Sequence, residues 1–134
     1  MKILIVDDSR FLRLANERAL VRAGHHVVTA SDGEEGLRLA RETMPDLVVL
    51  DMMLPKLSGP EVLHALRSDQ RTEGIPVMVL TSLPQCNEEK LKIEGATSFY
   101  QKAVLELDKG TTRFVEVVER MLNHAARARA AAAH

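Results

Sequence analysis

The chain holds one cysteine, no tryptophan, one tyrosine and three phenylalanines in 134 residues. Cys86 therefore has no partner for an internal disulfide, and an aromatic content of 3% leaves no stacking platform for bases and no aromatic floor for a sugar. Charge of one sign is also lacking: 18 basic and 19 acidic side chains give a formal net charge of -1. No basic stripe answers the phosphate backbone of a nucleic acid, so no direct nucleic-acid partner is expected. Apolar runs stay too short for a signal core or a membrane span, which points to the cytoplasm and to no membrane partner. With 46% apolar and 28% charged residues, the composition is that of a globular domain with an aliphatic interior. The length suits one domain.

Five short apolar runs are present: Ile3 to Val6, Val27 to Thr29, Leu47 to Leu50, Val77 to Leu80 and Ser98 to Tyr100. Each predicts a strand. The first, third and fourth are continuously apolar, as parallel strands are when helices cover both faces. Helix-period segments lie between them. Phe11, Leu12, Ala15 and Ala19 predict one inward face, Leu37, Ala40 and Met44 a second, and Val62, Ala65 and Leu66 a third. The clearest is the last, where Phe114, Val117, Val118, Met121, Leu122 and Ala125 share a stripe that Glu116, Glu119 and Arg120 avoid. Asn87 to Glu94 predicts only a weak helix, with Leu91 as its apolar anchor. Gly24 is placed to end the first helix in a left-handed turn, Pro45 and Pro76 precede strands, and Ser58 with Glu61 resembles a capping box. Five βα units imply right-handed crossovers and an α/β fold with an open, doubly wound parallel sheet.

In such a sheet ligands bind beyond the carboxyl ends of the strands. Asp7 and Asp8 follow the first strand, Asp51 the third, Thr81 closes the fourth and Lys102 lies just past the fifth. Singly, each has a bland reading, as a cap, a turn former, a strand end or a solvated charge. Together, on one edge, they point to a site. Three carboxylates brought close repel one another, which implies a cation. Oxygen donors without His or Cys select a hard ion in a water-open site, and magnesium fits best. His25, His26, His64, His124 and His134 show no ligand spacing and read as structural or solvated. A carboxylate beside magnesium, a hydroxyl and an ammonium group is equipped to attack phosphorus in line. Asp51, alone at its strand end, is the candidate nucleophile.

These residues sit in I-L-I-V-D-D-S-R at Ile3 to Arg10, L-V-V-L-D-M-M-L-P-K-L-S-G at Leu47 to Gly59, V-M-V-L-T-S at Val77 to Ser82, and Lys102. Through them the chain resembles the response-regulator receiver family of two-component signalling, over nearly its whole length. The resemblance implies a flavodoxin-like (βα)5 fold of strand order 2-1-3-4-5, a receiver domain over residues 1–124 and an alanine-rich helical extension or tail over 125–134. It implies that Asp51 accepts a phosphoryl group from a sensor histidine kinase or a histidine phosphotransfer protein. Asp8, Asp51 and the backbone carbonyl of Met53 would hold Mg2+, with Asp7 acting largely through water. Lys102 would pair with the phosphoryl group, Thr81 would supply the switch hydroxyl, and the small Ser82 would leave room for the phosphoryl to enter. Phe99, three residues before the lysine, takes the place of the switch aromatic. The resemblance thus implies a phosphoprotein and a signalling switch, not an enzyme, read out on the face of the fourth helix, fifth strand and fifth helix. Its effector and its capacity to form a homodimer stay open at this point.

Some positions depart from the family pattern. Lys102 is followed by Ala103 where relatives carry a cis proline, so the loop from Ala103 to Thr111 is expected to take its own course without a cis bond. Met53 and Leu83, two residues past Asp51 and Thr81, are apolar where many relatives orient hydrolytic water, which favours a long-lived phosphoryl group. Cys86 has no neighbouring cation or second cysteine to activate it. Two rival functions share part of this pattern. A phosphatase of the haloacid-dehalogenase class needs a second acid two residues after its nucleophile, and Met53 stands there instead. A degenerate receiver, acting as a phosphate-independent interaction or dimerisation module, would rest on a misplaced Lys102. The tail with Arg127 and Arg129 reads either as a fraying helix or as a linker to an output domain.

Overall fold

Strands buried on both faces need aliphatic side chains at consecutive positions, and the first, third and fourth runs supply them. The computed structural model describes the backbone of residues 1–51, 56–81, 98–101 and 111–132, and the side chains of 1–51, 56–80 and 114–127. β1 (Lys2–Val6), β2 (His26–Ala30), β3 (Leu47–Asp51), β4 (Val77–Thr81) and β5 (Ser98–Gln101) form one sheet of order β2-β1-β3-β4-β5. Every neighbouring pair is parallel. All five expected strands are present in the expected order. Between and after them lie α1 (Arg10–Arg22), α2 (Gly33–Thr43), α3 (Gly59–Ser68) and α4 (Thr111–Ala132). The expected helix over Asn87 to Glu94 lies outside the described residues, as do Cys86 and the segment from Lys102 to Gly110.

Side chains alternate across a strand, and this sorts the aliphatic residues into two cores. Leu4, Val6, Val48, Leu50, Val77 and Val79 face α2 and α3, where Ala40, Val62, Leu63 and Leu66 meet them. Ile3, Ile5, Leu47, Val49, Met78 and Leu80 face the other way, against Leu20 of α1 and Phe114, Val117, Val118, Met121 and Leu122 of α4. The central position of β1, β3 and β4 explains their unbroken apolar sequence. β2 lies at the edge, and of its residues only Ala30 is buried.

The helix ends follow local chemistry. Gly24 adopts a φ of 96° just past α1, as expected of a helix-ending glycine. The Ser58 hydroxyl accepts from the Glu61 amide at 3.4 Å and donates to the Glu61 carboxylate at 3.2 Å, so the capping-box residues do start α3. Arg67 closes the turn after α3 by donating to the carbonyls of Glu73 and Ile75. α4 runs without a break across residue 124 to Ala132.

Two inward faces differ from the sequence reading. Phe11 is 81% exposed, whereas Leu20 is fully buried. The two are nine residues apart, about two and a half helical turns, and so point in opposite directions; Ala19 is buried as expected, but the buried face of α1 turns away from Phe11 toward Leu20. Met44 does not continue the face of Leu37 and Ala40. It caps α2 in a left-handed conformation at φ 47°, with its N–H donating to the Ala40 carbonyl at 3.1 Å. In α3 the buried set includes Leu63 beside the expected Val62 and Leu66.

Candidate functional site

Val6 lies opposite Leu50 in the parallel register of β1 and β3. The next residues, Asp7 and Asp51, therefore leave the sheet side by side, at the point where strand order reverses. Asp7 and Asp51 are buried, at 2% and 5% exposure, while Asp8 is exposed. One carboxylate oxygen from each of Asp7, Asp8 and Asp51 lies within 4.8 Å of the others. The expected acidic cluster is thus assembled.

The chain leaving β1 is fixed by several bonds. The Asp7 N–H donates to the Ala30 carbonyl at 3.1 Å and so extends the ladder to β2. Its carboxylate accepts from the Ser9 N–H at 2.9 Å, and its carbonyl accepts from the Arg13 guanidinium at 2.8 Å. Ser9 in turn caps α1, its hydroxyl accepting from the Leu12 amide. A serine immediately before a helix-period run is a recognisable cap signal. Arg13 has no comparable signal, because its role depends on a side chain reaching back along the helix to a strand end.

Across from this, the chain returning from Asp51 rests on the start of α2. Lys56 takes a left-handed φ of 66°, and its ammonium stands 3.6 Å from the Asp32 carboxylate. Asp32 also caps α2 through the Glu35 amide at 2.8 Å. That amide bond holds the Asp32 carboxyl below its ordinary range; Lys56 adds to the effect and desolvation opposes it.

Asp51 pairs with Leu80 in register, so Thr81 extends one residue further on the adjacent strand. Thr81 pairs with Gln101 and Val79 with Phe99, which places Lys102 next in the chain after the end of β5. Of Thr81 and Phe99 only the backbone is described; Met53, Ser82, Leu83, Lys102 and Ala103 lie outside the described residues. His25 stands apart from the acidic cluster, with its Nε2 3.4 Å from Glu119 on α4. His26, His64 and His124 are exposed.

Three clustered carboxylates offer oxygen alone and concentrate negative charge, a donor set that fits a hard divalent cation such as magnesium. A family model for the response regulator receiver domain matches residues 3–110. The chain belongs to the response-regulator receiver family. Among its relatives, this receiver domain is 43% identical over 102 residues to the alkaline phosphatase synthesis transcriptional regulatory protein PhoP of Bacillus subtilis, covering 75% of this chain and 42% of that protein. It is 34% identical over 120 residues to the response regulator MprA of Mycolicibacterium vanbaalenii, covering 90% of this chain and 51% of that one. The chain thus spans about half the length of these relatives or less. In structure it resembles the chemotaxis protein CheY4 of Vibrio cholerae, with a TM-score of 0.77 at 30% identity over 90% of this chain and 97% of that one. The receiver domain is therefore a component of two-component signalling with a flavodoxin-like fold. Among the described residues no helix is long and apolar enough to cross a membrane.

Proposed function

We propose that this receiver domain takes a phosphoryl group onto Asp51 from the phosphohistidine of a sensor histidine kinase or a histidine phosphotransfer protein. The observation that carries this reading is the clustering of Asp51 with Asp7 and Asp8 at the carboxyl edge of β1 and β3, where open α/β sheets bind ligands. The Asp51 carboxylate attacks phosphorus in line, forming a P–O bond as the P–N bond to the donor imidazole breaks. Asp8, Asp51 and the Met53 carbonyl would hold Mg2+, with Asp7 acting through water, and the bound cation offsets charge on the phosphoryl oxygens. Asp7 keeps its orientation through Ser9 and Arg13. Lys102 pairs with the phosphoryl oxygens, and Ser82 leaves room for them.

Phosphorylation converts the singly charged Asp51 carboxylate into an acyl phosphate that carries about two negative charges at the strand edge. Thr81 moves toward them, Phe99 turns into the space released, and the packing of the face around β5 and its flanking helices changes. Apolar Met53 and Leu83 leave hydrolytic water unoriented, so the phosphoryl group outlasts seconds. PhoP is named a transcriptional regulatory protein, and its greater length supports reading this chain as the cytoplasmic input part of such a regulator. Any contact with DNA would then belong to an output part, and phosphorylation would act on it directly or through a homodimer.

Treatment with acetyl phosphate and magnesium, followed by intact-mass measurement, tests the reading. One added phosphoryl mass is expected, and Asp51→Asn abolishes it. No mass gain in the parent protein overturns the phosphoacceptor reading in favour of a phosphate-independent interaction module.

A further inference from the structure

We infer that Arg13 is a positioning residue for the cation site: it pins the peptide group before Asp8, so that the one exposed carboxylate of the cluster is held in place for the ion. This inference rests on the reading of Asp7, Asp8 and Asp51 as a magnesium site.

Asp8 is exposed, and an exposed side chain has several rotamers open to it. Its carboxylate nevertheless comes within 4.8 Å of those of Asp7 and Asp51. What places it is the backbone on either side, because each peptide group is a rigid plane. The plane before Asp8 carries the Asp7 carbonyl, which accepts from the Arg13 guanidinium at 2.8 Å. The plane after it carries the Ser9 N–H, which donates to the Asp7 carboxylate at 2.9 Å. With both planes held, the direction in which the Asp8 side chain leaves the backbone is set.

The two bonds differ in kind. The Ser9 bond draws on a carboxylate of the cluster itself, which an arriving ion also engages. The Arg13 bond draws on a carbonyl outside the cluster and on a donor that never loses its proton in a protein. Arg13 is in turn anchored at the start of α1, where its own N–H donates to the Ser9 carbonyl at 2.9 Å and the Ser9 hydroxyl accepts from the Leu12 amide at 3.4 Å. On the other side the Asp7 N–H is tied to Ala30 of β2 at 3.1 Å. The turn from β1 to α1 is therefore a closed ring through Asp7, Ser9 and Arg13, with Asp8 inside its span.

Electrostatics gives the inference a sign. A fixed cation near three carboxylates opposes the binding of a second cation, so loss of the Arg13 charge taken alone tightens magnesium binding. Loss of positioning acts in the opposite direction, and residues that orient a ligand from behind typically change metal affinity by about 10- to 100-fold when removed. The direction of the change therefore separates a positioning residue from a mere neighbouring charge.

The test uses the full chain. Magnesium affinity is measured calorimetrically without phosphodonor, the rate of phosphorylation by acetyl phosphate is followed against magnesium concentration, and thermal unfolding is recorded. Arg13→Met is expected to raise the magnesium dissociation constant about tenfold or more, with a rate at saturating magnesium much nearer the parent value. Arg67→Met is the control. Arg67 donates to the carbonyls of Glu73 and Ile75 ahead of β4, at the opposite edge of the sheet from the cluster, so the same substitution removes the same kind of bond far from the site. It is expected to lower the melting temperature and leave the magnesium constant unchanged. Should Arg13→Met fail to fold, Arg13→Gln decides: its polar end stops two bonds short of the guanidinium nitrogen, and it is expected to weaken magnesium binding likewise. Parent-like or tighter magnesium binding by Arg13→Met, or by Arg13→Gln where only that variant folds, overturns the inference. Equal weakening by Arg67→Met also overturns it, since the loss would then follow stability and not position. A parent that binds no magnesium overturns the site and the inference together. A parent that binds magnesium but never gains a phosphoryl group defeats the phosphoacceptor reading alone.

Discussion

The Arg13 guanidinium donates to the backbone carbonyl of Asp7 at 2.8 Å, so a cation on α1 fixes the peptide that joins the two acidic residues after β1. Hydrogen bonds from charged donors contribute about 1.5–3 kcal/mol, more than neutral ones. Arg13→Met, which keeps the aliphatic stem and removes the donor, is expected to lower stability by about that amount in urea denaturation. A loss below about 0.5 kcal/mol, typical of an inert surface change, would show that the bond leaves stability untouched.

Phe11 and Leu20 make a paired prediction on α1. Phe11 is 81% exposed and Leu20 fully buried, although Phe11 is the larger and more apolar-looking choice for a core position. Phe11→Ser is expected to change stability by no more than about 0.5 kcal/mol, while Leu20→Ala costs about 2–5 kcal/mol by removing core contacts and leaving a cavity. Equal losses in thermal unfolding would reverse the assignment of the helix face.

This contrast marks where the fold was legible and where it was not. Parallel strands announce themselves because burial on both faces forces runs such as Leu47 to Leu50, and the strand-end position of Asp7, Asp8 and Asp51 follows from chain order alone. The rotation of a helix is weaker information: α1 carries apolar residues on more than half its circumference, so a face centred on Phe11 and Ala15 is as plausible in sequence as the buried one through Ala19 and Leu20. Met44 satisfied the helix period yet caps α2 in a left-handed turn, since Pro45 already ends the helix. Supports of the site were also hidden. The Arg13 bond depends on a side chain reaching back to the strand end, and Lys56 combines a left-handed φ with an ion pair to Asp32, a residue distant in sequence; no pattern encodes either.

Acid should weaken the fold through Asp32 and Asp69. The Glu35 amide lowers the pKa of the first, and the Arg71 amide and guanidinium lower that of the second. A carboxyl whose folded pKa is depressed adds stability above its unfolded value, near 3.9, and loses it as pH falls through the lower folded value. Asn is a comparable helix cap, so Asp32→Asn removes the titration and keeps the cap. Its stability deficit relative to the parent in urea denaturation is expected to be constant from neutral pH to about pH 4.5 and to shrink below it. A deficit that stays the same size through pH 3 would remove Asp32 from the acid response.

A dependence of stability on magnesium is expected from the charge gathered at one point. With oxygens of Asp7, Asp8 and Asp51 within 4.8 Å of one another, the folded chain bears a repulsion that the unfolded chain does not. A cation that binds only the folded state offsets it, and at ten times its dissociation constant stabilises the fold by about 1.4 kcal/mol. Asp8 is the informative position, because it is exposed and its replacement by Asn relieves repulsion with little loss of packing. In EDTA, Asp8→Asn is expected to melt above the parent. Added magnesium should raise the parent's melting temperature and scarcely move that of the variant, so the gap closes or reverses. Sodium chloride at matched ionic strength separates screening from binding, since screening relieves the parent without saturating. Equal shifts of parent and variant with magnesium would place the ion away from this cluster, and would remove the electrostatic reason for three acids to stand together beside Asp51.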